Sequence, residues 1–384
     1  MTVAVEELER FVAELLAARG VSAERAGVIA AFMAKADRYG VATHGVARLG
    51  AYLGRIDAGV MELDPEPRIV EERAATALLD AGNGWGQIAA SRAMRLAIDK
   101  ARVAGIGAVS VANSNHFGVA GHYVELAAKA GCIGVAMTNA SPAMAPFNAK
   151  VALLGTNPIA FGVPVAGAAP VILDMSSSLV ARGKIRRAFN EGAERIPEGW
   201  AVDKDGLPTT DPAAALAGLL APIGGAKGTG LSLIIDILSG LLSGTGRTGE
   251  VANIMDASRP SGTGHLLIAI DPDAFIGRDA FEAAVAETGE RIHAMEAADG
   301  GRVLLPGQLE HERADSIGAA GVALPADVRA ELDALAERFG VERPSESSWP
   351  PPRRRLLGLG VALTDTARWS GCHGHVDPFT QRAQ

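Results

Sequence analysis

The chain changes texture after Pro65 and Pro67, and the alternating stretch beyond them constrains its fold more than any other feature. Short apolar, partly β-branched runs at 69–70, 77–79, 106–111 and 133–138 read as strands. Between them lie helical patterns, one running from the 83–87 segment to about 101 and another over 122–129. Further apolar runs at 159–165, 171–173 and 265–270 extend the sheet, so the pattern predicts an α/β layer with buried strands. The stretch before the prolines is helical: 5–18 places Phe11, Leu15 and Leu16 on one apolar stripe, and Gly20 ends it. A second helix runs from Ser22 towards Tyr39, and a third is expected over 43–56, closing near Gly59. Later helices are expected over 231–242, from about 273 to 295, and over 325–339, the last with a proline in its first turn.

At 384 residues the chain is long for one core, so more than one domain is expected. The expected division is a mainly helical domain over 1–68, completed by 296–345, wrapped around an α/β domain over 69–295. From 346 to 384 the proline triplet at 350–352, three arginines and the Cys372, His373 and His375 group predict an irregular tail. A net charge of −8 without a concentrated basic footprint argues against a nucleic-acid partner. Two distant cysteines argue against a disulfide scaffold, and Cys132, in an apolar run, reads as a core residue. The acidic start at Glu6, Glu7 and Glu9 does not resemble a secretory signal, and the apolar 231–242 run is too short to span a bilayer. A cytoplasmic location with no membrane partner is the expectation.

Several residues have chemistry to offer. His44, Arg48 and Tyr52 recur at intervals of four, so on a helix they would present a proton carrier, a guanidinium fork and a phenol together. Arginine can hold a carboxylate through two parallel hydrogen bonds. The competing reading is an ordinary polar helix face. His116 lies in the polar 113–118 loop just past a strand, a place where a rigid scaffold can fix an acid/base group. A satisfied structural histidine is the alternative there, and the preferred reading for His122. The glycine-rich 224–230 tract, with Lys227 and Gly228, reads as a loop able to hold an anion. Its residue order is not that of a P-loop, and no Rossmann glycine pattern occurs in a strand-turn-helix setting. Asp174, Met175 and Ser176 follow a strand, with Arg182 and Lys184 close behind. Ser141 ends a similar segment, and 305–308 reads as a turn.

Taken in order, the 39–48 segment, the 113–118 loop, Leu154-Gly155-Thr156-Asn157-Pro158, Asp174-Met175-Ser176, the 222–230 tract and Leu305-Pro306-Gly307 resemble the malate/L-lactate/ureidoglycolate dehydrogenase family. The resemblance spans roughly residues 5 to 342. It implies a non-Rossmann NAD(P)-binding mixed-sheet domain with a discontinuous helical domain, in a homodimeric enzyme acting on a small carboxylic acid. The implied reaction interconverts a 2-hydroxy acid and its 2-oxo acid, with malate or L-lactate preferred. Ureidoglycolate oxidation, or reduction of a cyclic imino acid or diketo acid, is the nearest alternative, and a catalytically silent metabolite-binding homodimer the more distant one. By the same resemblance His116 matches the acid/base and His44 an active-site histidine, while Thr43, Arg48 and Tyr52 fall in the substrate pocket. Ser141, Asp174, Met175, Ser176, Lys227, Gly228, Gly307 and Gln308 fall at or near cofactor positions, for NAD or NADP with NAD slightly favoured. Thr43 stands where the family commonly has Ser, and Gln308 where it often has Glu. No metal is implied.

Overall fold

The computed structural model describes residues 2–298 and 300–344, so the expectations for the C-terminal tail, including Cys372, His373 and His375, lie outside the described residues. Helices α1 (Val5–Arg19) and α2 (Ala23–Arg38) bury Leu8, Phe11, Val12, Leu15 and Leu16 against Ile29, Ala30 and Met33. The single helix expected over 43–56 is instead two 3-10 turns, Ala42–His44 and Val46–Arg48, followed by α3 (Leu49–Asp57). The break has a local cause. Asp37 is buried at the end of α2, and its carboxylate accepts the Val46 N–H at 2.8 Å, pulling the chain out of helical register. Gly45 lies where a β-carbon would strike that carboxylate. Desolvation pushes Asp37 up to about 7, with the Val46 hydrogen bond opposing the rise.

The strands appear where the alternation predicts. They are β1 (Arg68–Glu72) and β2 (Thr76–Asp80), then α4 (Gly86–Ala104), β3 (Ile106–Ser114), α5 (Gly121–Lys129), β4 (Ile133–Thr138), β5 (Ile159–Val163) and β6 (Val171–Met175). The chain then makes α6 (Arg182–Asn190) and a small sheet of β7 (Ala201–Val202), β8 (Pro208–Thr209) and β9 (Leu219–Leu220), with α7 (Pro212–Ala217) between the last two. The glycine-rich tract is less of a loop than expected: α8 (Ala226–Asp236) begins inside it and continues through a π turn at Ile237–Leu241. After β10 (Thr263–Ile270) come α9 (Arg278–His293), α10 (Gln308–Ala320) and α11 (Ala326–Phe339). The helix expected from about 273 thus starts later, after a 3-10 turn at Pro272–Ala274.

The main sheet has seven strands in the order β1-β2-β3-β10-β4-β5-β6. Only β2 and β3 pair in parallel; every other pairing is antiparallel. This is the mixed sheet expected, and not the parallel, doubly wound arrangement. The late strand β10 sits in the middle, and its alternation serves both faces. Leu267 and Ala269 join the cluster holding Ala89, Ala93 and Met94 of α4 and Tyr123 and Val124 of α5, while Leu266 packs with Ile235 of α8. Cys132 is fully buried in the first of these clusters. Leu332, Leu335 and Ala336 of α11 complete the N-terminal helical cluster, making the helical region discontinuous in sequence. No helix among the described residues is long and apolar enough to cross a membrane.

Candidate active site

The β3–β10 ladder is irregular beside the 113–118 loop. Its register shifts between Thr263 and His265, and Asn113 on the facing strand has a φ of 50°, in the left-handed region uncommon for a residue with a side chain. The chain leaves the sheet there as Asn115-His116-Phe117-Gly118. Three contacts hold this loop. Asn115 Nδ2 donates to the carbonyl oxygens of Asn83 and Gly84, each at 2.9 Å. Gly86 lies directly against the Asn115 and His116 carbonyls, where a β-carbon would collide with backbone. His265, fully buried in β10, stacks on Phe117 with ring centroids 4.6 Å apart and bonds Thr138 Oγ1 at 2.7 Å and Ser114 Oγ at 2.8 Å. Burial pushes His265 down to about 3, so it holds the loop as a neutral ring.

His116 projects into a cleft of about 1050 Å³ that is also lined by Thr43, His44, Arg48 and Tyr52. The 3-10 turns carry Thr43, His44 and Arg48 and α3 carries Tyr52, so no continuous helix face brings them together. The His44 and His116 rings stack at 5.3 Å with 25° between their planes. Burial and the Arg48 guanidinium push His44 down to about 4. His116 is held well below the ordinary histidine value by burial first, then by His44, Arg48 and His265. Both rings are therefore neutral near pH 7 in the free protein. Arg48 Nε donates to the Thr43 carbonyl at 2.6 Å, which fixes the side chain and leaves its two terminal nitrogens without a protein partner among the described residues. Thr43 Oγ1 lies 3.0 Å from His44 Nδ1. Tyr52 is fully buried, and its hydroxyl is engaged by His116 Nδ1 at 2.7 Å and by Gln87 Nε2 at 3.0 Å. Its link to a ligand therefore runs through His116.

Across the cleft lie Ser141 and the strand-end residues Asp174, Met175 and Ser176, with Gly307 behind them. Asp174 Oδ2 accepts the Gly121 N–H at 2.7 Å, and Asn253 Nδ2 reaches Ser141 Oγ at 3.3 Å. A carboxylate and hydroxyls at the carboxyl end of a strand, with apolar Met175 beside Asp174, are suited to ribose and a flat ring. Lys184 and Arg187 of α6 line the same cleft, and Gly183 faces the Thr43 methyl. Arg182 lines the cleft too, with its terminal nitrogens donating to the carbonyl oxygens of Leu216 and Gly218. Lys227 and Gly228 stand apart in the first turn of α8, outside the cleft lining, although Ile223 N is tied to Ser177 O beside Ser176. Gln308 also lies off the lining, at the start of α10, and contacts His293, Glu312 and the Leu305 N–H. His122 lines the cleft and is buried, yet neither of its ring nitrogens has a partner, contrary to the satisfied structural histidine expected.

Four contributors are not evident from sequence reasoning: Gln87, Asp37, His265 and Arg55. Buried Arg55 gathers the carbonyl oxygens of Asn253, Asp256 and Arg259, and so fastens the 251–261 segment that borders the cleft. A glutamine on a helix face whose next turns bury Ala90, Met94 and Ala97 is the one available sequence signal.

The model of the malate/L-lactate dehydrogenase family matches residues 3–333. The chain is 41% identical over 306 residues to the L-sulfolactate dehydrogenase of Methanocaldococcus jannaschii, covering 79% of this chain and 88% of the relative. It is 38% identical over 342 residues to the malate/(S)-sulfolactate dehydrogenase of Methanothermus fervidus, covering 89% and 99%. The solved sulfolactate dehydrogenase structure from Methanocaldococcus jannaschii superposes with a TM-score of 0.85 at 38% identity, covering 89% of this chain and 98% of that one. With this fold and this cleft, the chain belongs to the malate/L-lactate dehydrogenase family, a family of NAD(P)-dependent oxidoreductases.

Proposed function

We propose that the chain interconverts a 2-hydroxy acid and its 2-oxo acid, using Arg48 to hold the carboxylate and His116 to carry the proton. The observation that carries this reading is the convergence of stacked neutral His44 and His116, the free end of Arg48 and the strand-end residues 174–176 in one cleft. The nicotinamide cofactor supplies or takes the hydride at the substrate's α carbon. Asp174, Ser176 and Ser141 would hold its ribose and ring, with Met175 and Gly307 lining the same part of the cleft. Lys227, Gly228 and Gln308 act from the margin of that site. Arg48 prevents the substrate carboxylate from rotating, which fixes the face of the α carbon presented for transfer. His116 meets the substrate oxygen. His44, stacked behind it and bonded to Thr43, orients the substrate and keeps water from the imidazole.

Lys184 and Arg187 add positive charge to a cleft that already contains Arg48. This favours a substrate with a second anionic group, as in malate or sulfolactate, over lactate. The engagement of Arg182 by two carbonyls leaves Lys184 and Arg187 as the α6 cations in the cleft for an additional ribose phosphate, and NAD is the preferred cofactor on that reduced charge alone. A panel of oxaloacetate, sulfopyruvate, pyruvate and a cyclic imino acid, each tried with NADH and NADPH, tests the whole reading. The dianionic oxo acids with NADH should give the highest kcat/KM. Turnover of the cyclic imino acid alone would overturn the substrate assignment.

A further inference from the structure

We propose that Gln87 is a positioning residue that, through Tyr52 and together with the Gly118 N–H, holds neutral His116 with its proton on Nε2. The catalytic meaning of this role rests on the reading of His116 as the proton carrier. One donor near the ring has a polarity that cannot change. The Gly118 backbone N–H faces His116 Nδ1 at 3.4 Å, and an amide N–H can only donate. The contact is long, but its direction requires Nδ1 to be the unprotonated nitrogen. Tyr52 Oη lies 2.7 Å from the same nitrogen, so the phenol must be the donor in that bond as well. The phenolic oxygen is then free to accept, and Gln87 Nε2 supplies a hydrogen to it at 3.0 Å. The series therefore runs one way, from the Gln87 amide to Tyr52 to His116.

Burial makes this order consequential. Gln87 and Tyr52 are each 1% exposed, so no bulk water competes for either hydrogen bond. Gln87 Oε1 has no partner, and the amide is held by its donating side alone. With Nδ1 occupied, Nε2 is the ring nitrogen left for a ligand, and in the resting protein it carries the hydrogen. A substrate carbonyl oxygen is thus met by a donor before any proton has moved. Proton donation from Nε2 to the substrate oxygen requires a second proton, taken from solvent onto Nδ1. It leaves the ring in its Nδ1–H form until that proton returns to solvent; oxidation runs the same steps in reverse. Tyr52 accommodates the proton on Nδ1 by turning its hydroxyl to the His116 carbonyl oxygen, 3.4 Å away, while its own oxygen accepts from Nδ1. The groups facing the imidazole are His44 and Arg48 from the 3-10 turns, Tyr52 from α3 and His265 from β10, and none of them carries a negative charge near neutral pH. Gln87 therefore acts in the same direction as all its neighbours, against the imidazolium. A glutamate in its place reverses the series. Its carboxylate takes the Tyr52 hydrogen, turns the phenolic oxygen to Nδ1 and favours a proton there.

The test uses the cofactor-free protein labelled with 15N-histidine, with the His116 resonances assigned by their loss in a His116 variant. The wild type should show Nε2–H imidazole at pH 7. Gln87→Met should give a mixture of tautomers and, because it removes a hydrogen-bond series that opposes a second proton on Nδ1, should move the limb on which reduction accelerates with falling pH to higher pH. Gln87→Glu should shift the ring towards Nδ1–H. It should also move the limb on which reduction accelerates with falling pH to higher pH by about one unit. Nδ1–H in the wild type, or a tautomer unaffected by either substitution, would overturn the proposal. Because the tautomer is read without substrate, a protein that reduces none of the tested acids still confirms or refutes the role of Gln87. If Gln87→Glu does not fold, the Gln87→Met spectrum decides alone.

Discussion

Replacing His116 with alanine should lower kcat for the oxo-acid and hydroxy-acid pair by about 10²–10⁴-fold, the range that a positioned general acid supplies. The loss should fall on turnover. The loop backbone is held by Asn115, Gly86 and the His265–Phe117 stack, none of which depends on the His116 imidazole. Ser141, Asp174 and Ser176 line the other side of the cleft, so NADH affinity, measured by quenching of protein fluorescence, should stay close to the wild-type value. His44→Ala should cost less, because the proposed role of this ring, stacked on His116, is orientation and exclusion of water and not proton transfer. If His44→Ala removes turnover and His116→Ala leaves it, the roles assigned to the two rings are reversed.

The second large effect is expected at Arg48. Its Nε is bound to the Thr43 carbonyl, and its terminal nitrogens are presented to the cleft as a fixed fork. Two hydrogen bonds to a carboxylate at about 1.5–3 kcal/mol each place the cost of Arg48→Leu on the order of 10²–10⁴-fold in kcat/KM. A rise in KM should account for much of this, with an additional fall in kcat because an untethered α carbon reaches the transfer geometry less often. Arg48→Lys should recover only part of the loss, since an ammonium restores charge without the planar fork. Unchanged kcat/KM in Arg48→Leu would mean that the substrate carboxylate is held elsewhere, with Lys184 and Arg187 the next cations in the cleft.

How much of the fold and site is legible in the sequence depends on whether the determining contact is local. Strand β4 is readable to its ends, because period and β-branched content are properties of the segment itself. The interval of four between His44, Arg48 and Tyr52 groups residues that do line one cleft, but for the wrong geometric reason. A buried carboxylate from the preceding helix converts the segment to 3-10 turns, and that contact is tertiary. The glycine tract misleads in a similar way: glycine content suggests a loop, whereas the backbone enters α8 at Ala226. The central placement of β10, distant in sequence from both neighbours, has no local signature either. Tyr52 is visible as a phenol near the site, but its engagement by Gln87 and His116 requires the packing of α3 against α4 and the 113–118 loop.

Transfer of deuterium from the cofactor tests the central claim most directly. NADH carrying deuterium at the transferable C4 position of its nicotinamide would be incubated with the protein and oxaloacetate or sulfopyruvate, and the product analysed by mass spectrometry and NMR. Hydride transfer to the α carbon predicts one deuterium per product molecule, located on that carbon and in a single configuration. Product lacking deuterium there, or cofactor oxidation without formation of the 2-hydroxy acid, would contradict it.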